Sequence, residues 1–137
     1  MKHQAREVAL QILFQTEFAT RISYQDFLAL FEDTVPKEAV EYADQLVRGV
    51  KDHQTEIDAT IQAKSAHWSL NRMSIVDRNI LRISVYELKF SPTPVKPGIT
   101  INEAIELAKK YGSTESSSFV NGILDAVSKS NPSNNSP

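Results

Sequence analysis

The sequence predicts an all-α protein of about seven helices, and two kinds of pattern support this prediction. Apolar residues recur at i, i+3, i+4 and i+7 in segments along the whole chain, which is the spacing of one buried helix face. The ends of these segments carry Ser, Thr, Pro and Gly, the residues that begin and end helices. The chain has 137 residues, 41% hydrophobic and 23% charged, and these proportions favour one folded core over a disordered chain.

The first helix is predicted to run from about residue 3 to residue 18. Its buried face is formed by Ala5, Val8, Ala9, Ile12 and Leu13. A second apolar row, Leu10, Phe14 and Phe18, is rotated away from that face. This row either packs inside the chain or binds another protein, and the spacing leaves both alternatives open.

The next helices follow a polar break around residues 20–23. YQDFLALFE is a short apolar segment that ends at the turn-like TVP. Pro36 suits a helix start, and helical periodicity continues from there to about residue 63, with a predicted break near His53. The apolar face before the break consists of Ala39, Tyr42, Ala43, Leu46, Val47 and Val50.

A central helix is predicted for SIVDRNILRISVYELKF, residues 74–90, because this segment is apolar around most of its circumference. Its length and its Ser74-x-x-Asp77 start favour a helix over the strand that the β-branched Ile83 and Val85 suggest. The SPTPVKPG that follows contains three prolines and a glycine, which indicates a structured connector.

Two more helices complete the predicted fold. Thr100-x-x-Glu103 is typical of a capping box and predicts a helix start, and Gly112 is the expected C-cap of that helix. The serine-rich run that follows leads into a last helix, with Ser113 or Thr114 as its expected N-cap. The buried face of this last helix is formed by Val120, Ile123, Leu124 and Val127.

The composition excludes several classes of function. The chain has no cysteine, so it offers no disulfide, no thiolate nucleophile and no Cys-ligated zinc site. Its three histidines lack the spacing of metal ligands, and its four glycines are too scattered for a phosphate-binding loop. We therefore expect a protein that is not an enzyme and that holds no cofactor or metal.

Organisation and charge narrow the expectations further. Residues 1–128 are predicted to form a single domain, and residues 129–137 a disordered polar tail. No segment resembles a signal peptide or a membrane span, so we expect a cytoplasmic location.

Residues 1–63 hold six Lys and Arg against eleven Asp and Glu, a balance of −5, whereas residues 64–137 hold nine against six, a balance of +3. An anionic partner would prefer the second half, unless these charges are simply solvated.

The last predicted helix carries a second stripe beside its buried face, formed by Glu115, Phe119, Gly122 and Ala126. A glycine in the middle of a helix costs about 1 kcal/mol relative to alanine, so Gly122 suggests close approach by another helix or by a ligand. Phe119 is either a core aromatic or an exposed platform on which a nucleic-acid base stacks.

Three segments carry a family resemblance: VDRNILRISVYEL (76–88), ITINEAIELAKKYG (99–112) and SFVNGILD (118–125). They resemble signature segments of the NusB family of bacterial transcription antitermination factors, and AREVALQILFQ matches more loosely. The resemblance implies two small helical bundles and a non-catalytic, RNA-binding partner of the ribosomal protein NusE. In that family the NusB–NusE pair binds boxA RNA and helps to assemble an RNA polymerase antitermination complex on ribosomal RNA operons.

The resemblance also implies roles for particular residues. Phe119 with Glu115, Ser118 and Asn121 resembles the RNA-contacting start of the last helix, and Lys2, His3 and Arg6 resemble an RNA-contacting arm. Phe14 and Asp77 resemble the NusE-facing surface, and Leu10 shares the off-core row of Phe14. The N-terminus of the family is often richer in arginine. Because fewer cations release fewer counterions, we expect this chain to bind boxA RNA weakly without NusE.

Other interpretations stay open at this point. The chain is alternatively a scaffold that binds NusE without sequence-specific RNA recognition, and the off-core row would equally suit pairing of two copies in a homodimer. A NusB-like domain also precedes ribosomal RNA cytosine methyltransferases, but the 137 residues contain no glycine-rich cofactor motif.

Overall fold

The computed structural model describes residues 2–17, 23–93 and 95–130, and within these ranges it contains seven α-helices and one short 3-10 helix. The α-helices are α1 (Lys2–Thr16), α2 (Tyr24–Ala29), α3 (Lys37–Asp52), α4 (Gln54–Lys64), α5 (Ile75–Lys89), α6 (Pro97–Tyr111) and α7 (Ser116–Lys129), and the 3-10 helix is Leu70–Arg72. The all-α prediction is confirmed. Phe18 and the predicted tail beyond Ser130 lie outside the described residues, although α7 itself extends to Lys129.

The helices form two small bundles that share the central helix α5. On one side α5 contacts α1 and α3, and on the other it contacts α4, α6 and α7. Ile80, Leu81, Ile83 and Val85 on α5 are at most 1% exposed, and they belong to one continuous apolar core. The predicted central helix is therefore correct, and the β-branched residues that suggested a strand are buried within it.

The start of α5 follows the sequence prediction. The Ser74 hydroxyl oxygen accepts a hydrogen bond from the Asp77 backbone N–H at 3.0 Å, as expected of an N-cap. The break near His53 is also present, because α3 ends at Asp52 and α4 begins at Gln54.

The predicted capping box at Thr100 is wrong. Helix α6 begins three residues earlier, at Pro97, and the Thr100 N–H already donates to the Lys96 carbonyl oxygen. The Thr100 side chain is buried, and its hydroxyl donates to Glu87 Oε1 at 3.4 Å. Glu103 points instead toward α1, where its Oε1 accepts from Arg6 Nη1 at 3.2 Å. Both side chains thus serve contacts between helices rather than a helix start.

The turn between α6 and α7 also differs from the prediction. Gly112 ends α6 as expected, but α7 begins at Ser116, and neither Ser113 nor Thr114 is its N-cap. The Ser116 hydroxyl oxygen accepts from the Ser113 N–H at 2.9 Å and closes the turn. A Cβ atom at Gly112 would lie 2.4 Å from Ser116 Oγ, so the tight turn requires glycine.

Part of the opposite charge of the two halves of the chain is taken up by ion pairs between them. Acidic side chains on α1, directly after it and on α4 pair with basic side chains of α5 and α6: Glu7 with Lys110, Glu17 with Arg78 and Arg82, and Asp58 with Arg82. The charge asymmetry therefore reflects in part ion pairs within the fold. Among the helices of the described ranges, none combines the length and the apolarity needed to cross a membrane.

Candidate nucleic-acid and partner interface

The start of α7 presents the residues that the sequence analysis assigned to RNA. Glu115, Ser118 and Asn121 are exposed, and Phe119 is half-buried against the core. Gly122 is exposed, and a Cβ atom there would meet no atom within 4 Å. The close approach of another helix that Gly122 suggested is therefore absent among the described residues, and this position is open toward solvent.

Phe119 forms one wall of a surface groove of about 190 Å³, which we name the α5–α7 groove. It is lined by Trp68, Arg72, Met73, Ser74, Asp77, Ser113, Glu115, Ser116 and Phe119. Trp68 and Arg72, which precede α5 and are both exposed, were not singled out as site residues by the sequence analysis. An exposed tryptophan is the signal that would have found them, because large aromatic side chains are usually covered.

Asp77 lines this groove and does not line the groove around Phe14. The residue is 9% exposed, and its Oδ1 atom is buried without a hydrogen-bond partner among the described residues. Asp77 is the third residue of α5. Its neighbour Val76, and not Asp77, lines the surface around Phe14. Asp77 thus shares a groove with Phe119 and not with Phe14, and its contact with a protein partner stays a prediction.

A second, more apolar groove of about 400 Å³ surrounds Phe14, and we name it the Phe14 groove. It is lined by Leu10, Gln11, Phe14, Gln15, Phe27, Val76 and Tyr111. Leu10 is only 2% exposed and forms part of the buried core, so it supplies the floor of the groove rather than a free contact surface. Phe14 is half-buried and lies one helical turn further along α1. The residues from α2, α5 and α6 were missed because they are distant in sequence.

The three predicted RNA-contacting residues at the N-terminus of α1 differ in their exposure to solvent. Lys2 and His3 are exposed, although His3 Nδ1 lies 2.9 Å from Glu103 Oε2. Arg6 is 3% exposed, and its Nε and Nη2 atoms donate to the two carboxylate oxygens of Glu87 at 2.9 and 3.0 Å. This bidentate ion pair fixes the guanidinium inside the protein. We therefore do not include Arg6 in the candidate interface.

The N-terminal cations lie near the middle of α6, whereas Phe119 follows the C-terminal end of that helix. His3 contacts Glu103, which is ten residues before Ser113 at the edge of the α5–α7 groove. The eight residues that follow Glu103 to the end of α6 at Tyr111 span roughly 12 Å of helix. A ligand that touches both places would therefore have to be extended, as a single strand of nucleic acid is.

The two grooves, in contrast, adjoin each other. Val76 lines the Phe14 groove and the next residue, Asp77, lines the α5–α7 groove. Likewise, Tyr111 lines the Phe14 groove and Ser113, two residues later, lines the α5–α7 groove. Two ligands bound in these grooves would therefore occupy neighbouring parts of one surface.

Glu7 ties α1 to the end of α6 beside the Phe14 groove. Burial by itself would raise the pKa of the Glu7 carboxyl group, but hydrogen bonds from Lys110 and Tyr111 outweigh this effect and lower the pKa below its ordinary value. Within the described ranges, no group of three or more His, Asp or Glu side chains is arranged to hold a metal ion.

These features define a small all-α binding protein with two adjoining surface grooves at the junction of α1, α5 and the α6–α7 turn. The chain belongs to the NusB family, whose sequence profile matches residues 3–129. It is 59% identical over 128 residues to the transcription antitermination protein NusB of Bdellovibrio bacteriovorus, which covers 93% of this chain and 95% of that protein. The corresponding protein of Geobacter sulfurreducens is 42% identical over 129 residues, 93% of each chain.

Solved structures show the same similarity. The fold matches NusB of T. maritima with a TM-score of 0.85 and 40% identity, over 95% of this chain and 92% of the other. It also matches a crystal structure of antitermination factors NusB and NusE in complex with dsRNA, with a TM-score of 0.81 and 33% identity, over 94% of this chain and 96% of the other.

Proposed function

We propose that this protein is a transcription antitermination factor that binds boxA RNA together with NusE and joins the RNA polymerase antitermination complex on ribosomal RNA operons. The observation that carries this proposal is the similarity, along almost the whole chain, to a structure that contains NusB, NusE and RNA. The two adjoining grooves add support, because they give a protein and an RNA neighbouring places on one surface.

The two grooves differ in the ligand they suit. The Phe14 groove is mainly apolar and is built from side chains of four helices, as protein interfaces commonly are around an aromatic anchor. The start of α7 combines the half-buried Phe119 with the exposed Ser118 and Asn121. Unstacked RNA bases bind to aromatic faces and to hydrogen-bonding groups of this kind. We therefore assign NusE to the Phe14 groove and RNA to the start of α7.

The placement of charge explains why both partners are needed. With Arg6 buried against Glu87, the N-terminal arm keeps Lys2 and the exposed side of His3 for contact with phosphates. Few phosphate contacts mean weak electrostatic binding that depends little on salt concentration. NusE would supply the missing affinity by holding the RNA at the neighbouring groove, which is why we expect weak binding of RNA to the isolated chain.

The test is fluorescence anisotropy of labelled boxA RNA, and of a base-scrambled RNA, titrated with the protein in the presence and absence of NusE. Phe119→Ala should weaken RNA binding by the protein–NusE pair roughly tenfold, since stacking on one base contributes about 1–3 kcal/mol. Phe14→Ser should weaken binding of NusE itself. Leu30→Ser is the matched control, because Leu30 is 64% exposed and lines neither groove.

Each outcome has a definite meaning. Nanomolar RNA binding without NusE at physiological salt would contradict the division of labour between the grooves. Equal affinity for boxA and scrambled RNA, with NusE binding intact and no effect of Phe119→Ala, would instead favour a scaffold that binds NusE without sequence-specific RNA recognition. Light scattering of the free protein, with Phe14→Ser for comparison, tests whether the Phe14 groove also pairs two copies.

A further inference from the structure

Lys2, the first residue of α1, lies over the ring of a tyrosine on another helix. Its Nζ atom is 5.0 Å from the centre of the Tyr42 ring on α3, a distance at which the ring face attracts an ammonium group. Lys2 is exposed and has no carboxylate partner among the residues that the structure describes. Lys110 also lies over a ring, that of Tyr111, but it forms an ion pair with Glu7 as well. The charge of Lys2 is thus placed by its ring without being neutralised.

A buried network fixes the Tyr42 ring. The Tyr42 hydroxyl group donates to Glu87 Oε2, and the Glu87 carboxylate also accepts from Arg6 and Thr100. The Glu87 side chain is 1% exposed. Burial, and after it the hydrogen bond to Glu87, raise the pKa of Tyr42 above its ordinary value, so the hydroxyl group remains a donor at neutral pH. The ring beneath Lys2 is therefore held by a carboxylate that is itself anchored to α1 and α6.

The neighbouring side chain of the N-terminal arm is connected to the same network from α6. His3 Nδ1 lies 2.9 Å from Glu103 Oε2, and Glu103 Oε1 accepts from Arg6 Nη1 at 3.2 Å. Arg6 in turn forms the bidentate pair with Glu87. The two exposed cationic side chains of the arm thus contact α3 and α6 through partners that share one buried ion pair.

We propose that Tyr42 is a positioning residue for RNA binding, whose ring holds the ammonium group of Lys2 where it meets a phosphate of the bound strand. An ammonium group over a ring keeps N–H donors on its free side, and these donors suit a phosphate oxygen. Because a lysine side chain is flexible, holding it beforehand lowers the entropy lost on binding. The inference rests on the proposed function, and it adds a residue of α3 to those that act on the RNA.

The experiment measures the affinity of the protein–NusE complex for labelled single-stranded boxA RNA. Tyr42→Leu removes the ring, and Tyr42→Phe keeps it, whereas both variants lose the hydroxyl group that donates to Glu87. Tyr42→Leu should weaken RNA binding roughly threefold, the scale of an exposed cation–π contact and of one ordered lysine side chain. Tyr42→Phe should bind RNA within about 1.5-fold of the wild type, because the ring face is retained.

Dependence on Lys2 is tested by a double-mutant cycle. In the Lys2→Ala background, Tyr42→Leu should change RNA affinity by less than about 1.5-fold, because the ring then has no ammonium group to hold. Lys2→Ala should also reduce the slope of log affinity against log salt concentration by about 0.7, the value for one phosphate contact of a single strand.

Tyr24→Leu is the matched control. The Tyr24 ring lies under Arg48 and Lys51, and its hydroxyl group donates to Asp44, so the variant removes the same kind of contact at a place distant from the N-terminal arm. RNA affinity and its salt dependence should be unchanged in this variant. The affinity for NusE and the thermal unfolding of every variant are measured alongside, so that a folding defect is recognised.

Nuclear magnetic resonance tests the geometry without any substitution. In the wild-type protein the ring current of Tyr42 should shift the Hε protons of Lys2 upfield, and random-coil shifts would overturn the proposal.

The outcomes separate this inference from the proposed function. Equal losses of RNA affinity in Tyr42→Phe and Tyr42→Leu would assign the effect to the Glu87 network and overturn the positioning role. An undiminished effect of Tyr42→Leu in the Lys2→Ala background would overturn it as well. Wild-type boxA affinity in Tyr42→Leu would do the same and leave the antitermination assignment intact, whereas absence of boxA binding by the wild-type complex would overturn the proposed function itself.

Discussion

Replacement of Arg6 by alanine should destabilise the fold far more than it affects any contact with RNA. The guanidinium is 3% exposed and pairs with Glu87, whose side chain is 1% exposed, and with Glu103. Removal of one partner of a buried ion pair leaves the other charge uncompensated and costs about 3–5 kcal/mol. Because the total stability of a domain is about 5–15 kcal/mol, this loss is a large part of it. For 137 residues, a loss of about 4 kcal/mol lowers the Tm by roughly 14 °C.

The assay is urea denaturation followed by far-UV circular dichroism, with thermal unfolding as a second measurement. Arg48→Ala is the matched control, because Arg48 pairs with Asp44 at an exposed site and its loss should change the unfolding midpoint little. Lys2→Ala should weaken RNA binding by the NusE complex and leave the stability unchanged. The reasoning fails if Arg6→Ala costs less than about 1 kcal/mol and instead weakens RNA binding as Lys2→Ala does, since Arg6 would then belong to the RNA-contacting arm.

Two further predictions concern the core and its ion pairs. Hydrogen bonding from Arg78 lowers the pKa of the Glu17 carboxyl group below its ordinary value of 4.5, so Glu17 contributes stability above that pH and loses it as the pH falls through the lowered pKa. Between about pH 5 and pH 3, the Glu17→Gln variant should therefore lose less free energy of unfolding than the wild type, as measured by urea denaturation at several pH values. An equal loss of unfolding free energy in both proteins would contradict this. In α3, a Cβ atom at Gly49 would lie 2.1 Å from the Tyr86 ring, so Gly49→Ala should destabilise by about 1–3 kcal/mol. At Gly122 an added Cβ atom meets open space, so Gly122→Ala should stabilise the fold by about 0.5–1 kcal/mol. If thermal unfolding shows that both glycine variants shift the Tm in the same direction, this account is refuted.

The parts of the fold that the sequence predicted correctly depend on local patterns. The central position of α5 followed from apolar residues around most of its circumference, and its start followed from Ser74, whose hydroxyl caps the helix. Gly112 ended α6 as expected, because the turn that follows has no room for a Cβ atom. Such features depend on residues a few positions apart, so the sequence contains the information needed to find them.

The contacts that the sequence did not reveal concern residues whose partners are distant in sequence. Thr100 and Glu103 have the spacing of a capping box, but a network around the buried Glu87 uses both side chains. Arg6 was assigned to an RNA-contacting arm by its position near the N-terminus, whereas its partner Glu87 is 81 residues away. Periodicity along one helix does not show which side chain of another helix lies opposite, so these contacts were not visible in the sequence.

The candidate site was likewise predictable from the sequence only in part. Phe119 and Phe14 stood out because each lies outside the main apolar face of its own helix, a property that the spacing of one segment reveals. Their grooves were not predictable, since Trp68 and Asp77 reach Phe119, and Val76 and Tyr111 reach Phe14, only through the packing of several helices.

The sequence by itself therefore determined the helices, the family and the two aromatic residues around which binding is proposed, because short-range spacing and family signatures encode them. The tertiary structure alone decided which charges remain available to ligands: it buries Arg6 against Glu87 and leaves Arg72 exposed. The physical reason is that the availability of a charged group depends on desolvation and on its partners, and both are set by residues that the chain brings together only when it folds.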